Sequence, residues 1–422
     1  MTPRESILWH QTSAERLRFD PLVGTHAADV VVIGGGYTGL SAALHLAQSG
    51  ARVTVVEAVR TGHGASGRNV GLVNAGLWTP PDQIEEKLGK SAGQKLNAAL
   101  AKGPDLVFDL IEKHQISCEA RRSGTLHCAH CARGLRDLEN RHAQQARRGA
   151  PVRLLGKTET EARTGSSIFH GALWDGRAGT IQPAAYAGGL ARAAHGAGAI
   201  IHEASCVTGL ARKNDIWRVA TQDGEVHAPR VIQATNAYGI AGARQNGFVL
   251  AHYFQCATSP LPTELRASIM PGGEGCWDTA RIMSSARMDH AGRLVFGALG
   301  SLDHRGRMFH MQWARRALSR WFPAVAKVPF ESHWTGRVAM NSSHLPRVEA
   351  VGPGMISIHG YSGRGISPGT VFGKSAAQWA LDEDKDAFPV AITDPRTERF
   401  AKIKSIHYEA AASLMHLATS RR

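Results

Sequence analysis

The sequence contains no uninterrupted apolar run that approaches the roughly 18 residues needed to cross a bilayer. Its first twenty residues, MTPRESILWHQTSAERLRFD, are polar and lack the apolar centre of a secretory signal. Hydrophobic residues make up 43% of the chain and charged residues 20%, a balance typical of globular proteins that excludes wholesale disorder. These features predict a soluble, cytoplasmic protein without a membrane span.

Cysteine is scarce, with six residues at irregular positions, which excludes a disulfide framework. Cys128 and Cys131 form a Cys-x-x-Cys pair within the stretch HCAHC. A structural zinc site needs a second Cys or His pair, and none with that spacing follows. The sequence therefore predicts ordinary packing for these cysteines and no metal.

Acidic residues are fewer than basic ones, 35 against 49, and the formal net charge is +14. A charge of this size suits binding of nucleic acid, an anionic membrane or an acidic substrate. The arginines are densest between residues 121 and 153, where no aromatic side chains interleave with them as a single-strand-binding surface requires. We interpret this region as a solvated basic face and predict no nucleic-acid partner.

The chain is long and rich in glycine. Its 422 residues exceed the roughly 150 of a typical domain, which favours two domains. Its 46 glycines indicate that something lies close against the backbone at several places.

A complete strand–helix–strand unit stands near the start. Residues 28–33, ADVVVI, form a short apolar run without alternation, as expected of a parallel strand buried on both faces. The glycine-rich stretch GGGYTG follows, then a helical stretch that ends at Gly50, and then a second strand over residues 52–56. This order is typical of a nucleotide-binding unit.

The spacing Gly34, Gly36, Gly39 fits the known roles of glycine in such a unit: a tight turn, close approach to a pyrophosphate, and close helix–strand packing. The helix that begins near Thr38 directs its unpaired amides at the phosphates. Glu57 ends the second strand, where a carboxylate accepts hydrogen bonds from an adenosine ribose. These residues predict a dinucleotide and leave NAD and FAD both open.

Four stretches carry a resemblance to a known family: DVVVIGGGYTGLSAALHLAQSGARVTVVE, GHGASGRNVG, ATNAY and GYSGRGIS. Their order and spacing resemble those of the FAD-dependent oxidoreductases of the D-amino-acid oxidase type, which include glycine and sarcosine oxidases. The branch of gamma-glutamylputrescine oxidoreductase is the most similar, because it shares GASGRN, WTG and GYSG. The resemblance implies FAD as the cofactor and an amine or amino acid as the substrate.

The resemblance also implies which residues hold the cofactor. Residues 65–69 offer backbone amides and one guanidinium to the diphosphate and the ring edge, and the glycines of 360–365 direct amides at the flavin pyrimidine. The residues implied to bind FAD are Gly34, Gly36, Tyr37, Thr38, Gly39, Glu57, Ala65, Ser66, Arg68, Asn69, Val207, Thr235, Asn236, Gly336, Gly360, Gly363, Arg364, Gly365 and Ile366. Sarcosine oxidases attach FAD through a cysteine near residues 338–340, where this chain has none, so noncovalent binding is expected.

The expected fold is α/β, with a discontinuous Rossmann-type FAD-binding domain and a second α+β substrate domain built on an antiparallel sheet. We assign residues 27–80, 155–245 and 333–385 to the first domain and 81–154 and 246–332 to the second. Residues 386–422 are predicted to form a C-terminal helical tail.

Four residues are candidates for the catalytic, substrate-facing side: Arg364, His252, Arg287 and His344. Relatives often have histidine at the position of Arg364, and two interpretations remain open, namely binding of an anionic substrate group and an outward orientation. On a strand that includes His252 and Phe254, alternation places these two on one face and Tyr253 on the other. The putrescine branch has aromatic residues where Ser285 and Ala286 stand, which argues against that branch's own substrate here.

The implied reaction is transfer of a hydride from the carbon next to nitrogen to the flavin N5, followed by hydrolysis of the imine. Sarcosine oxidases have a lysine for oxygen activation at about Val295, so the electron acceptor, oxygen or another, stays open. The alternative is a flavin-binding subunit that transfers electrons within a complex or has a structural role. An oligomer or a partner subunit is compatible with both.

Overall fold

A computed structural model of the chain describes residues 7–240, 247–303 and 306–418. The predicted domain boundary at residues 245–246 lies outside these ranges.

The first large sheet is the predicted nucleotide-binding sheet and has seven strands. One of its interior strands, Val30–Ile33, is buried at every position and pairs in parallel with strands on both sides. Across the sheet the strands run in the order Ile392–Thr393, Arg347–Gly352, Met355–His359, Arg230–Gln233, Val30–Ile33, Val53–Val56 and Ile200–His202. The predicted Rossmann-type arrangement of FAD-binding folds is confirmed.

Two long helices cover one face of this sheet. Tyr37–Gln48 follows the first strand directly, and Ile366–Asp382 packs closely against it. Gly373 permits this contact, because a Cβ there would lie 2.4 Å from the backbone oxygen of Thr38. The glycine clusters at opposite ends of the chain therefore meet in one place.

The second large sheet has eight strands and is mainly antiparallel, as predicted. The pairing of Gly275–Asp278 with Thr125–Cys128 is parallel. The strands run in the order Phe330–Met340, Val249–Pro260, Arg293–Leu299, Ser284–Met288, Gly275–Asp278, Thr125–Cys128, Ala172–Asp175 and Val152–Leu155.

The remaining elements surround these sheets. A four-stranded sheet has the order Gly24–Ala27, Gly224–Ala228, Ile216–Ala220 and Gly209–Lys213, and Leu72–Val73 pairs with Gly179–Thr180. The other α-helices are Leu8–Thr12, Pro81–Leu88, Lys90–Ala101, Gly103–Lys113, Ala132–Ala146, Lys157–Thr164, Pro183–Gly196, Thr263–Ser268, Arg307–Trp321 and Ala401–Ala418. Short 3-10 helices span Ala65–Gly67, Asn236–Tyr238, Pro323–Val325 and Lys385–Ala387.

The sheets divide the chain differently from the predicted domain ranges. Ala172–Asp175 and Phe330–Met340, assigned in whole or in large part to the FAD-binding domain, are strands of the eight-stranded sheet. Ile392–Thr393, assigned to the tail, is an edge strand of the seven-stranded sheet. Helices Lys90–Ala101 and Gly103–Lys113, assigned to the substrate domain, pack their buried leucines into the core beside the nucleotide-binding sheet. The cause is long-range pairing and packing, which local sequence patterns do not contain.

Within the described ranges, no helix is long and apolar enough to cross a membrane.

Candidate active site

One cavity of about 650 Å³ is lined by residues of both large sheets. The carboxyl ends of strands Val30–Ile33, Val53–Val56 and Arg230–Gln233 reach its wall from one side. Tyr253, Gln255, Ser285, Leu299 and Gly336 reach it from the eight-stranded sheet. The crevice at the carboxyl ends of parallel strands is where open α/β sheets bind ligands.

The glycines of the first turn shape one end of the cavity. Gly34 has φ +109°, a conformation that favours glycine, and a Cβ at Gly36 would lie 2.9 Å from Ser66 Oγ. Gly34 and Gly36 line the cavity, together with Tyr37 and Thr38. Gly39 does not line it, but a Cβ there would lie 2.0 Å from the Gly34 oxygen, so its role is close packing of helix on strand.

Glu57 lies beside this turn. Its Oε2 accepts a hydrogen bond from the Gly35 amide at 2.7 Å, and its Oε1 accepts one from the Val59 amide at 3.0 Å. Burial raises the pKa of this carboxyl above its usual value. Each oxygen has a second lone pair, so the side chain can also accept bonds from ribose hydroxyls.

The loop at residues 65–69 is held by its own side chains. Arg68 donates from Nε to the His63 oxygen and from Nη1 to the Thr335 oxygen, both at 2.9 Å. Asn69 donates to the Ala65 oxygen, and its own Oδ1 accepts from the Gly71 amide. These contacts leave the Ala65 and Ser66 backbone at the cavity wall.

A second helix begins directly after the C-terminal glycine cluster at residues 360–365. Gly363, Gly365 and Ile366 line the cavity where helix Ile366–Asp382 starts, and no side chain caps that helix. The Ser367 hydroxyl is buried there without a hydrogen-bond partner among the described residues. Gly360 does not line the cavity; it has φ +86°, and its amide donates to Asn236 Oδ1 at 3.1 Å.

These residues fit FAD. Helix Tyr37–Gln48 also lacks a side-chain cap, so two sets of helix N-terminal amides face the cavity, one suited to a diphosphate and the other to a flavin oxygen. The unpartnered Ser367 hydroxyl offers one more polar group. Val207, Thr235 and Asn236 complete this wall, so of the predicted cofactor residues all but Gly39 and Gly360 line the cavity.

Strand Val249–Pro260 shows the predicted alternation. Tyr253 and Gln255 face the cavity, and the Tyr253 hydroxyl donates to the Gly297 oxygen at 2.9 Å. His252 and Phe254 face away from it. His252 Nδ1 lies 3.6 Å from Glu409 Oε2, and Phe254 packs near His310. His252 is therefore placed away from any substrate in this cavity.

Arg364 lies inside the cavity wall between two tryptophans. Its Cζ is 4.5 Å from the ring centroid of Trp78 and 5.1 Å from that of Trp277, and the two indoles are nearly perpendicular. Nη1 donates to the Ala75 oxygen at 3.2 Å, whereas Nε has no partner among the described residues. Burial, and then the nearby guanidinium of Arg141, lowers the pKa of Arg364, which as an arginine stays cationic at neutral pH.

Arg287, like His252, is a candidate that lies outside the cavity wall. Its side chain is 2% exposed and does not line the cavity. The guanidinium donates to the Ile181 oxygen and lies 5.2 Å from the Trp9 ring centroid. The expectation that it faces substrate came from its place in the sequence, but its strand directs it into the protein core.

His344 does line the cavity, together with Lys87. Lys87 Nζ donates to the Ser343 oxygen at 3.1 Å. Burial, and then the charge of Lys87, lowers the pKa of His344.

The charges of the cavity wall are unequal. Among the described lining residues, Glu57 is the one acid, and it lies at the glycine-turn end. The basic ones are His63, Arg68, Lys87, Arg337, His344 and Arg364. The cavity wall therefore has no carboxylate where a cationic substrate would need a counter-ion.

Trp78, Trp277, Gln255 and Lys87 line the cavity but were not among the predicted site residues. Tyr253 lines it as well, on the strand face opposite His252. Trp78 precedes the double proline that starts helix Pro81–Leu88, a position that offered a weak signal. Trp277 and Lys87 carried none, because their place follows from long-range packing.

Among the described residues, no three His, Cys, Asp or Glu side chains are close enough to hold a metal ion. Cys128 is buried and Cys131 half-buried. The one cysteine on the cavity wall in the described ranges is Cys206, which neighbours Val207.

Comparison with known proteins gives consistent results. Residues 29–379 match the family of FAD-dependent oxidoreductases that includes the D-amino-acid oxidases. The probable oxidoreductase OrdL of Rhizobium meliloti (strain 1021) is 33% identical over 383 residues, which cover 90% of this chain and 89% of that protein. The gamma-glutamylputrescine oxidoreductase of Escherichia coli (strain K12) is 30% identical over 390 residues, with 90% and 89% covered.

The crystal structure of glycine oxidase from Geobacillus kaustophilus has the same fold. It aligns with a TM-score of 0.71 at 21% identity and covers 86% of this chain and 96% of that one.

Proposed function

This chain belongs to the family of FAD-dependent oxidoreductases, and from that premise we propose that it oxidises a small amine or amino acid that carries an acidic group. The observation that carries the proposal is the position of Arg364, held between Trp78 and Trp277 in a cavity whose described lining residues include no acid besides Glu57.

Bound FAD supplies a ring that accepts a hydride at N5 from the carbon next to the substrate nitrogen, and from which the electrons pass to oxygen or another acceptor. Loss of the hydride converts the amine to an imine, which water hydrolyses. We propose that the cofactor is held noncovalently, because Val338 and Met340 occupy the wall near which relatives use a cysteine.

The protein favours the neutral amine. A substrate ammonium group in this cavity would have no counter-ion on the adjacent wall and would lie close to the cation of Arg364. Both effects lower the pKa of the substrate amine. A neutral amine has the free electron pair that assists hydride loss. The apolar surfaces of Trp78, Trp277, Met283 and Leu299 exclude water from the same region.

Arg364 orients the substrate. Its Nη1 is fixed by the Ala75 oxygen and its plane by the two indoles, so the guanidinium is pre-organised for a carboxylate. Nε remains without a partner among the described residues and can donate to that group.

The names of two relatives, gamma-glutamylputrescine oxidoreductase and glycine oxidase, refer to compounds that carry an amine.

An anaerobic screen of amines and amino acids tests the proposal. We expect at least one amine that carries a carboxylate to bleach the flavin absorbance, and its decarboxylated analogue to do so far more slowly. A flavin that no amine bleaches, in a protein that binds a partner stably, would instead support a flavin-binding subunit of a complex.

A further inference from the structure

We propose that Lys87 and His344 form a second anion-binding position at the far end of the same cavity, which receives a second acidic group of the substrate. The inference deepens the proposed function and rests on it for the identity of the reacting amine. It implies that the preferred substrate is an amine with two separated acidic groups rather than one.

Lys87 is a cation that no carboxylate neutralises among the described residues. It lies in the last turn of helix Pro81–Leu88, is exposed, and lines the cavity. Its Nζ donates to the backbone oxygen of Ser343, and within the described ranges it forms no ion pair. An ammonium with one neutral acceptor retains two N–H donors for a ligand.

His344 is held beside Lys87 by a tight turn. It has φ +55°, and its amide donates to the Asn341 oxygen at 3.0 Å. The Asn341 side chain donates to the Leu345 oxygen at 2.8 Å and accepts from the Ser343 amide at 3.1 Å. The turn is thus fixed on both sides of the histidine.

The same turn packs against the loop that carries Arg364. A Cβ at Gly360 would lie 2.6 Å from Asn341 Nδ2, so glycine at this position lets the two segments touch. Gly360 therefore positions His344 relative to Arg364, although it does not itself line the cavity.

The nearest acid does not neutralise this pair. Glu398 raises the pKa of His344 slightly against the effect of Lys87, but its carboxylate is already bound by Lys404 at 2.9 Å and by Arg347 at 3.4 Å. Together with Ser342, these partners satisfy it. Lys87 therefore keeps an unbalanced positive charge at the cavity wall, and the neutral imidazole of His344 beside it has a ring N–H that can donate to an anion.

Helix Pro81–Leu88 separates the two basic positions along the chain. Trp78, which contacts Arg364, precedes helix Pro81–Leu88, and Lys87 is close to its end. At 1.5 Å per residue, Lys87 lies about 9 Å along the helix axis from its first residue, Pro81. The wall between them contains Thr79, Pro80 and Gln83 and no charged side chain. Two acidic groups joined by a short chain match this layout.

A binding experiment tests the position without turnover. The probes are adipate, with two carboxylates, and hexanoate, which has the same number of carbons but one carboxylate. Each is titrated into the FAD-loaded protein, and binding is followed by flavin absorbance. We expect adipate to bind about three- to tenfold more tightly, the range of a partly exposed charge contact. Lys87→Met should remove that preference, whereas the control Lys90→Met, an equal charge change at an exposed site three residues on, should keep it.

The matching kinetic experiment compares anaerobic flavin reduction by glutamate and by glutamine. In the wild-type protein we expect glutamate to reduce the flavin faster than glutamine, which has a similar size but lacks the second carboxylate. This preference should be lost in Lys87→Met and reduced in His344→Leu, with flavin content unchanged. Absence of any dicarboxylate preference, an unchanged preference in Lys87→Met, or loss of FAD from that variant would each overturn the proposal.

The two proposals fail in different ways. If adipate shows the Lys87-dependent preference but no amine bleaches the flavin, the second anion position stands and the proposed reaction falls. If amines bleach the flavin with no dependence on Lys87, the reaction stands and the second position falls.

Discussion

The guanidinium carbon of Arg364 lies 4.5 Å from the ring centroid of Trp78, on the wall of the cavity of about 650 Å³ that both main sheets line. The sequence alone left two orientations for this arginine, toward substrate or toward solvent. The structure places it on the cavity side, with its charge against an indole face, an arrangement that holds a cation without neutralising it.

Replacing Arg364 with methionine should lower kcat/KM for an amine that carries a carboxylate about thirty- to a hundredfold, since a charge-assisted bidentate contact is worth about 2–3 kcal/mol. Arg364→Lys should recover only part of it, because lysine lacks the planar fork. Stopped-flow flavin reduction measures both. An amine without an acidic group serves as the control and should respond little; equal losses for both substrates would contradict a role in anion binding.

Gly36→Val should abolish retention of FAD. The new side chain would meet Ser66 Oγ at 2.9 Å and occupy the place where the backbone is open to the phosphates. The ratio of flavin to protein absorbance after gel filtration measures the effect. Gly209→Val is the control, since a Cβ there meets only Ala220 Cβ at 3.8 Å. Full flavin content in the Gly36 variant would mean that the phosphates bind elsewhere.

Arg287→Met should destabilise the protein by about 3 kcal/mol without changing turnover per bound flavin. The substitution leaves the Ile181 oxygen without its donor and removes the cation from the Trp9 ring and from Glu119, 3.8 Å away. Urea unfolding and anaerobic reduction rates, measured on the same preparation, separate the two effects. A large fall in the reduction rate of fully loaded protein would return Arg287 to the list of substrate-binding residues.

Asp278 should make the stability of the protein depend on pH. Burial raises its pKa to about 7, although its carboxylate accepts from the Ser284 amide at 3.0 Å and the Ala280 amide at 3.2 Å. Its pKa in the unfolded chain is about 3.9, so the folded state binds the proton more tightly. The stabilisation is complete below about pH 4 and is lost as the pH rises through 7, by up to about 4 kcal/mol.

Asp278→Asn keeps the acceptor oxygen and cannot ionise. It should therefore raise the melting temperature at pH 8 and change it little at pH 4.5. Thermal unfolding followed by circular dichroism at the two pH values provides the comparison, and a shift of the same size at both would show that ionisation of Asp278 is not the cause.

The cofactor half of the site was accessible from the sequence because its signals are local. Gly34, Gly36 and Glu57 follow strands that a short apolar run identifies, and their spacing depends on one strand–helix–strand unit. The chain reaches the cavity again at Gly363 and Gly365 with a second strand–glycine–helix pattern. Such patterns can be recognised in the sequence because the backbone geometry of the turn requires glycine at fixed positions.

The substrate half was predicted less well, and the reason is physical. Alternation on Val249–Pro260 separated Tyr253 from His252 correctly but could not say which face the cavity touches. Trp277 reaches the cavity from a strand whose neighbours come from residues 125–128 and 284–288, far apart along the chain. Such pairings are set by the whole fold, and no window of sequence contains them.

Trp9 makes the order of synthesis matter for the cofactor loop. Its indole donates to the Asn69 oxygen at 2.9 Å, the Gln182 side chain donates to its backbone oxygen at 2.7 Å, and Arg287 lies over its ring. Helix Leu8–Thr12 precedes all these partners in the chain, and its last contact, the Trp334 ring at a centroid distance of 5.9 Å, forms only after strand Phe330–Met340 has been made. The segment that supports the loop at residues 65–69 therefore completes its contacts only late in translation, and a bulky fusion placed just before it would compete with the final closure of the flavin-binding loop.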